Sequence, residues 1–208
     1  MLIPVIPTHP LRRERWPEIR TTWPGAQFHV EDGSGLVETS CRALLGAPSG
    51  GWVLYIQDDV VVVPELPSAI GALLDQAPNG STALSFASMG WTRDPRDVAS
   101  GVRWRKRRRG ELLWVWMLAL RSEHVADAVV SIRRQSADAP PRLRCTQFDE
   151  RLSKWLDATH RTAYTHLPSL AQHVGRESLA GHGWTIAGRP RQSPTYPGAD
   201  VIAWEFVR

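Results

Sequence analysis

Hydrophobic positions fall into short uninterrupted runs separated by longer segments with helical spacing. Residues 2–6, 27–30 and 52–56 are three such runs, and each predicts a strand. Residues 11–20 between the first two are helical in tone, although Pro17 should break that helix or start a second turn. Residues 36–45 predict a helix, opened by the loop 31–35 and closed by the Gly-rich stretch 46–51. Strand, helix, strand, helix, strand at this short spacing argues for a parallel sheet with right-handed crossovers. Further on, residues 65–77, 122–132 and 146–156 predict helices, and 82–86 and 163–166 predict strands. In the last of these helices Phe148, Leu152, Trp155 and Leu156 share one face. Residues 112–120 are apolar, and Trp114 and Trp116, two apart, share a face if that run is a strand, where they read as core. With the basic stretch 99–110 before them they predict a β-hairpin whose tip or edge carries the arginines. The segment from Gly188 on is rich in Pro, Arg and Gly and reads as a loop-like tail.

The third run is continuous rather than alternating, the pattern of a strand covered on both faces. It leads directly into Gln57, Asp58 and Asp59, then four valines and Pro64. Two adjacent carboxylates at the end of a buried strand are costly without partners. A divalent cation at the strand's mouth is the simplest compensation, and oxygen ligands suit magnesium or manganese. A solvated strand-to-turn junction, where Asp is common, would leave the same pattern. In open parallel sheets, ligands sit at the carboxyl ends of the strands. Here those ends supply Thr8 and His9, Asp32, and the Asp58–Asp59 pair, which could line a nucleotide, with Arg12 able to line a diphosphate or face solvent.

Composition narrows the classes. The chain has 208 residues, enough for one domain with a real core. Lys and Arg exceed Asp and Glu by 25 to 21, a net charge of +4, and the pI is near 9.6, which favours an anionic partner. Ten tryptophans are many for this length and serve either as core or as platforms for rings and bases. Only Cys41 and Cys145 are present, so no disulfide framework is indicated. No apolar run approaches the length of a membrane span, and residues 1–7 lack the basic start and long apolar region of a signal peptide. A cytoplasmic protein without a membrane span is the expectation.

Three segments together resemble a known family: the strand ending in Gln57-Asp58-Asp59, the helix opened by Phe148-Asp149-Glu150, and Pro168-Ser169-Leu170-Ala171-Gln172-His173-Val174-Gly175 with Ser178. Their order and spacing look like the A-type glycosyltransferase fold, in small members that transfer a sugar from a nucleoside diphosphate. The resemblance covers roughly residues 1–182. It implies a single α/β domain with a central, mostly parallel sheet. We assign residues 1–187 to that domain, with 1–98 as the nucleotide-sugar half, 99–187 as the acceptor half and 188–208 as the tail. It also implies a manganese or magnesium ion, a nucleoside-diphosphate sugar as donor, and an Asp-X-Asp metal element at residues 57–59. Gln57 stands at the first acidic position, a departure that leaves Asp59 as the direct ligand and Asp58 among the nucleotide contacts. His173 is implied as a second metal ligand and Asp149 as the catalytic base, and Arg176 and Ser178 are candidates for phosphate contact. Read without the resemblance, Asp149 could equally be the acidic partner of Thr146 in a variant capping box, and His173 a hydrogen-bonded core histidine.

The basic segment bears on the acceptor. Arg103, Arg105, Lys106, Arg107, Arg108 and Arg109 surround Trp104, a combination suited to a phosphate-rich polymer with an aromatic side chain to wedge or stack. Transfer to a hydroxymethylated base in duplex DNA would need such a surface and a way to extrude the base, and small phage DNA glycosyltransferases are a class with that requirement. Other readings are a charged hairpin guarding a sheet edge, a lid over the donor diphosphate, a saccharide, lipopolysaccharide or protein acceptor, and a non-catalytic nucleic-acid-binding module.

Overall fold

The computed structural model describes residues 2–89, 93–138, 148–173, 185–186, 189–190, 193 and 195–197. Its frame is a seven-stranded sheet built from β1 (Pro4–Thr8), β2 (Gln27–Val30), β3 (Trp52–Ile56), β5 (Ser81–Ser85), β6 (Trp104–Lys106), β7 (Met117–Arg121) and β8 (Thr162–His166). The strand order is β2-β1-β3-β7-β5-β8-β6. β1 pairs in parallel with β2 and β3, and β5 with β8. β7 runs antiparallel between β3 and β5, and β6 antiparallel at the edge beside β8. A separate antiparallel ribbon joins β4 (Val60–Val62) to β9 (Ala171–His173). Two further two-residue strands, β10 (Thr185–Ile186) and β11 (Arg189–Pro190), pair antiparallel with each other.

Helices cover both faces, as the crossovers require. α1 (Trp16–Thr22) and α3 (Leu66–Asp75) pack on one face, where Ile19, Trp23, Ile70 and Leu73 meet Leu54 and Ile56. α2 (Leu36–Gly46), α5 (Val125–Asp138) and α6 (Phe148–Ala158) pack on the other, where Leu44, Val129, Leu152 and Trp155 meet Val53 and Tyr55. Successive β3 residues therefore feed opposite cores, which is why that strand tolerates no polar alternation. Each fully buried large side chain contributes about 1.5–3 kcal/mol, so both layers are well anchored. A short helix, α4 (Asp94–Ala99), precedes β6.

The basic stretch departs from expectation. Trp104 to Lys106 does not form a hairpin with the apolar run behind it; it adds to β8, while Met117–Arg121 is inserted between β3 and β5. The reason lies in burial. Leu118, Ala119 and Leu120 have no exposed surface, a demand only the middle of the sheet meets, whereas a strand carrying Lys106 fits an edge.

Candidate functional site

The strand ends converge as parallel topology dictates. β1 ends at Thr8, opposite Val30 at the end of β2, and β3 ends just before Gln57. The Gln57 amide still donates to the Trp116 carbonyl (2.9 Å), so β3 is held in the sheet up to its last residue before the carboxylates. A turn over Asp58 and Asp59, closed by the Val60 amide on the Gln57 carbonyl (3.3 Å), then leads into β4.

Both carboxylates are buried, at 6% and 7% exposure, and both are satisfied by neighbours. Asp58 accepts from the Thr8 hydroxyl (2.6 Å), the His9 amide (3.3 Å) and Arg12 Nη1 (2.7 Å). Asp59 Oδ2 lies 2.6 Å from Arg12 Nη1 and 2.8 Å from His173 Nε2. Register explains the last contact: Val60 pairs with His173 across the β4–β9 ribbon, so the residue before Val60 stands beside the histidine. The His173 ring also lies 5.6 Å from that of the buried Trp116.

The two neighbours are polarised in opposite directions. Burial pushes the Asp58 carboxyl up; Arg12 opposes this and the adjacent Asp59 charge adds to it. Burial acts the same way on Asp59, but the His173 hydrogen bond and charge, then Arg12, outweigh it and hold the carboxyl at about 2. Burial lowers the Arg12 guanidinium, and the two carboxylates more than restore it.

Arg12 comes from a 3-10 run, Pro10–Arg15, whose entry is capped by His9: Nδ1 accepts from the Leu11 amide at 3.2 Å. His9 thus reaches Asp58 through its backbone, while its ring caps the turn and lies 3.9 Å from Glu31. Arg15, one turn on, donates to the Asp58 carbonyl (2.9 Å), and Trp16 Nε1 donates to Thr8 Oγ1 (3.1 Å). Sequence reasoning misses both; the signal for Arg15 is its i+3 spacing from Arg12.

Asp149 lies in the first turn of α6, half-buried, next to Phe148, which stacks on Tyr55 of β3 with ring centroids 5.3 Å apart. α6 runs down toward the start of β8, so its N-terminus, with Asp149, is at the same end of the sheet as Asp58 and Asp59. Tyr55 senses both Asp149 and Asp58, secondary to burial and its hydrogen bonds with Ser40 and Gln57. Asp32 stands apart: Arg42 of α2 grips both its oxygens, one at 2.5 Å and one at 3.0 Å, and together with the Ser34 bonds depresses its carboxyl. Arg176 and Ser178 lie outside the described residues.

Thr8, His9, Arg12, Asp58, Asp59 and His173 are therefore one contiguous cluster. The donor chemistry, two carboxylates and an imidazole, suits a hard divalent cation, and His173 Nδ1 is buried with no hydrogen-bond partner among the described residues. Yet among the described residues no three metal-ligating side chains converge on one point. The guanidinium of Arg12 stands between the carboxylates instead. Alongside, between α1, β4 and the start of α3, opens a cleft of about 770 Å³ lined by Arg15, Trp23, Gln57, Val61, Pro67 and Tyr196.

The basic segment lies elsewhere. Arg105 is buried and engages Asp94, Asp97 and Glu111, and Arg107 engages Asp157 (2.7 Å) and the Ser153 carbonyl (3.3 Å). Trp104 packs edge-on against Phe86 and His166. These three side chains are committed to the fold and are not a DNA-facing surface; Lys106, Arg108 and Arg109 are exposed. Because β6 runs antiparallel to β8, Trp104 faces His166 near the carboxyl end and Lys106 faces Tyr164, so Arg108 and Arg109 sit at the opposite end from the carboxylates. Four inter-strand spacings also separate β6 from β3, about 19 Å. The exposed end of this segment therefore stands away from the strand mouths.

No helix among the described residues is long and apolar enough to cross a membrane. No protein-family model matches the chain, and no curated protein matches it by sequence. Among solved structures, the chain is similar to a glycosyltransferase involved in the glycosylation of the major capsid of PBCV-1. The TM-score is 0.52 at 13% identity, over 86% of this chain and 95% of that one. The likeness is one of fold: this single α/β domain, with its central and mostly parallel sheet, has the architecture of an A-type glycosyltransferase.

Proposed function

We propose that this protein is a glycosyltransferase that moves a sugar from a nucleoside-diphosphate donor to a hydroxyl acceptor, with inversion. The observation that carries the reading is the Asp59–His173 contact at the carboxyl end of β3, within a fold shared with a glycosyltransferase. Asp59 and His173 would hold a manganese or magnesium ion. Bound there, such an ion supplies positive charge against the leaving diphosphate. The Thr8 hydroxyl and the His9 amide orient the Asp58 carboxylate beside it. Asp149, at a helix N-terminus that favours its ionised form, takes the proton from the acceptor hydroxyl as the oxygen attacks the anomeric carbon. The adjoining cleft has the volume of a small-molecule site and room for a sugar ring or a base. Arg176 and Ser178 are proposed phosphate contacts, and Asp32 a nucleotide contact once Arg42 yields it.

A hydroxymethylated base in DNA is one proposed acceptor, supported by the net charge of +4 and by exposed Lys106, Arg108 and Arg109. A saccharide, lipopolysaccharide or protein acceptor is the second. It is favoured by the internal pairing of Arg105 and Arg107 and by the separation of the remaining cations from the carboxylates.

A panel of sugar nucleotides incubated with modified DNA, unmodified DNA and saccharide acceptors, read by mass, decides between them. Release of nucleoside diphosphate with manganese present is the expected minimum. No release from any donor would leave a non-catalytic nucleic-acid-binding module as the better reading.

A further inference from the structure

We propose that Arg12 is a built-in competitor for the divalent cation, so that a metal ion enters this site by displacing the guanidinium from Asp59. This inference rests on the reading of Asp59 and His173 as cation ligands. One nitrogen, Arg12 Nη1, bridges the two carboxylates at 2.7 Å from Asp58 Oδ1 and 2.6 Å from Asp59 Oδ2. The same Asp59 oxygen faces His173 Nε2 at 2.8 Å. The oxygen that a metal would bind is therefore already taken by two nitrogens, in a pocket where all three side chains are at most 14% exposed. Two like charges within about 4 Å repel by several kcal/mol at the effective dielectric of such a site, so guanidinium and metal cannot share that oxygen.

The arrangement also answers a need. Two adjacent buried carboxylates with no cation would lose much of their hydration and repel each other, and Arg12 supplies the missing charge while no metal is bound. No residue of its 3-10 run is buried, and the run is already kinked at Arg12 (φ −111°, ψ 18°). Once displaced, the fork of donors lies at the strand ends where a donor diphosphate would sit, and guanidinium geometry matches phosphate oxygens. Metal and nucleoside diphosphate would then reinforce each other's binding, since each takes one side of the Arg12–carboxylate pair.

The test is manganese binding without nucleotide, followed by the decrease of the free-ion EPR signal, in the wild type, Arg12→Met and Arg12→Lys. Arg12→Met should bind Mn²⁺ at least about tenfold tighter, a modest share of the Coulomb energy of one removed charge. Arg12→Lys, which keeps the charge, should stay near the wild type. If Arg12→Met is poorly folded in chelator, Mn²⁺ should raise its melting temperature by more than it raises that of the wild type, because the ion replaces the missing counter-charge. Equal or weaker binding by Arg12→Met, with the wild type binding Mn²⁺, overturns the competitor role and leaves the metal reading standing. Absence of Mn²⁺ binding in every variant at millimolar ion overturns both. Tight binding that survives Asp59→Asn in the Arg12→Met background puts the ion elsewhere and also overturns the proposal.

Discussion

Asp59 and His173, 114 positions apart in the chain, are 2.8 Å from each other because Val60, the residue after Asp59, pairs in register with His173 at the end of β9. Neither residue is fixed by its own strand alone. The contact exists only when the β4–β9 ribbon forms, so the ribbon is part of the site. Asp59→Asn preserves shape while removing the negative charge that Arg12 and His173 share. We expect transfer to fall at least about a hundredfold, since a bound ion supplies several kcal/mol of charge stabilisation. Asp59→Ala is the poorer test. It removes a buried ion-pair partner, a change that costs about 3–5 kcal/mol, so reduced activity could follow from unfolding. Turnover of Asp59→Asn in the presence of manganese, compared with its unfolding midpoint, separates the two effects. Wild-type turnover in this variant would remove Asp59 from the mechanism.

Asp149→Asn addresses the proposed base. The amide keeps size and much of the capping capacity but takes no proton. A kcat loss of at least about a hundredfold is expected, the scale of general base catalysis, with KM and stability nearly unchanged. A variant that loses stability while keeping kcat identifies Asp149 as a helix cap. Retention of anomeric configuration in the wild-type product would count equally against a single displacement assisted by this carboxylate.

The parts of this arrangement that could be read in advance are those that depend on local pattern. The unbroken run of β3 betrays a strand with a core on each side, and both cores exist. The two aspartates after it mark a strand mouth, and they lie at one. What local pattern cannot show is which distant partner a three-residue strand selects. Val60, Val61 and Val62 read as a continuation of apolar sequence, yet they carry the ribbon that delivers His173. The arginine run illustrates the converse. Its charge is visible, but its consumption by Asp94, Asp97, Glu111 and Asp157 is a tertiary fact. Asp94 and Asp97 before the run and Glu111 after it were the available hint.

His166 predicts a pH dependence. Its ring is buried; Nδ1 donates to the Pro168 carbonyl at 2.8 Å, and Nε2 has no hydrogen-bond partner among the described residues. Burial lowers its pKa, the Pro168 bond opposes this, and the Arg103 charge adds to it, leaving it at about 4 against an ordinary 6.5. Between these values the unfolded chain binds more protons than the native one, so stability is complete above about 6.5 and falls as the pH drops toward 4. The decrease is on the order of 3 kcal/mol across that window, at about 1.4 kcal/mol per unit. Urea unfolding of the wild type and His166→Gln over this range tests it: the variant should be less stable at neutral pH but show a flatter slope. Parallel slopes would mean that the acid response arises elsewhere.

The basic segment yields the last prediction, and it divides the segment in two. Arg105 faces Asp94, a carboxylate with no exposed surface, and also engages Asp97 and Glu111. Arg105→Gln should therefore destabilise the fold by about 3–5 kcal/mol, as breaking a buried pair does, whatever the acceptor. Lys106, Arg108 and Arg109 are exposed, and replacing all three by Gln should shift stability by no more than about 0.5 kcal/mol per site. If DNA is the acceptor and these three track its backbone, the triple variant should bind DNA more weakly at every sequence. Its log–log salt slope should also flatten by about 0.9 for each phosphate that the variant no longer neutralises. Nucleotide and manganese affinities should not move, because these side chains lie at the far end of a different strand from Asp58 and Asp59. A lid role for the segment would instead weaken nucleotide binding and leave any DNA affinity unchanged. Wild-type protein with negligible DNA affinity at low salt would exclude the DNA acceptor directly, and the saccharide or protein acceptor would then be the reading to pursue.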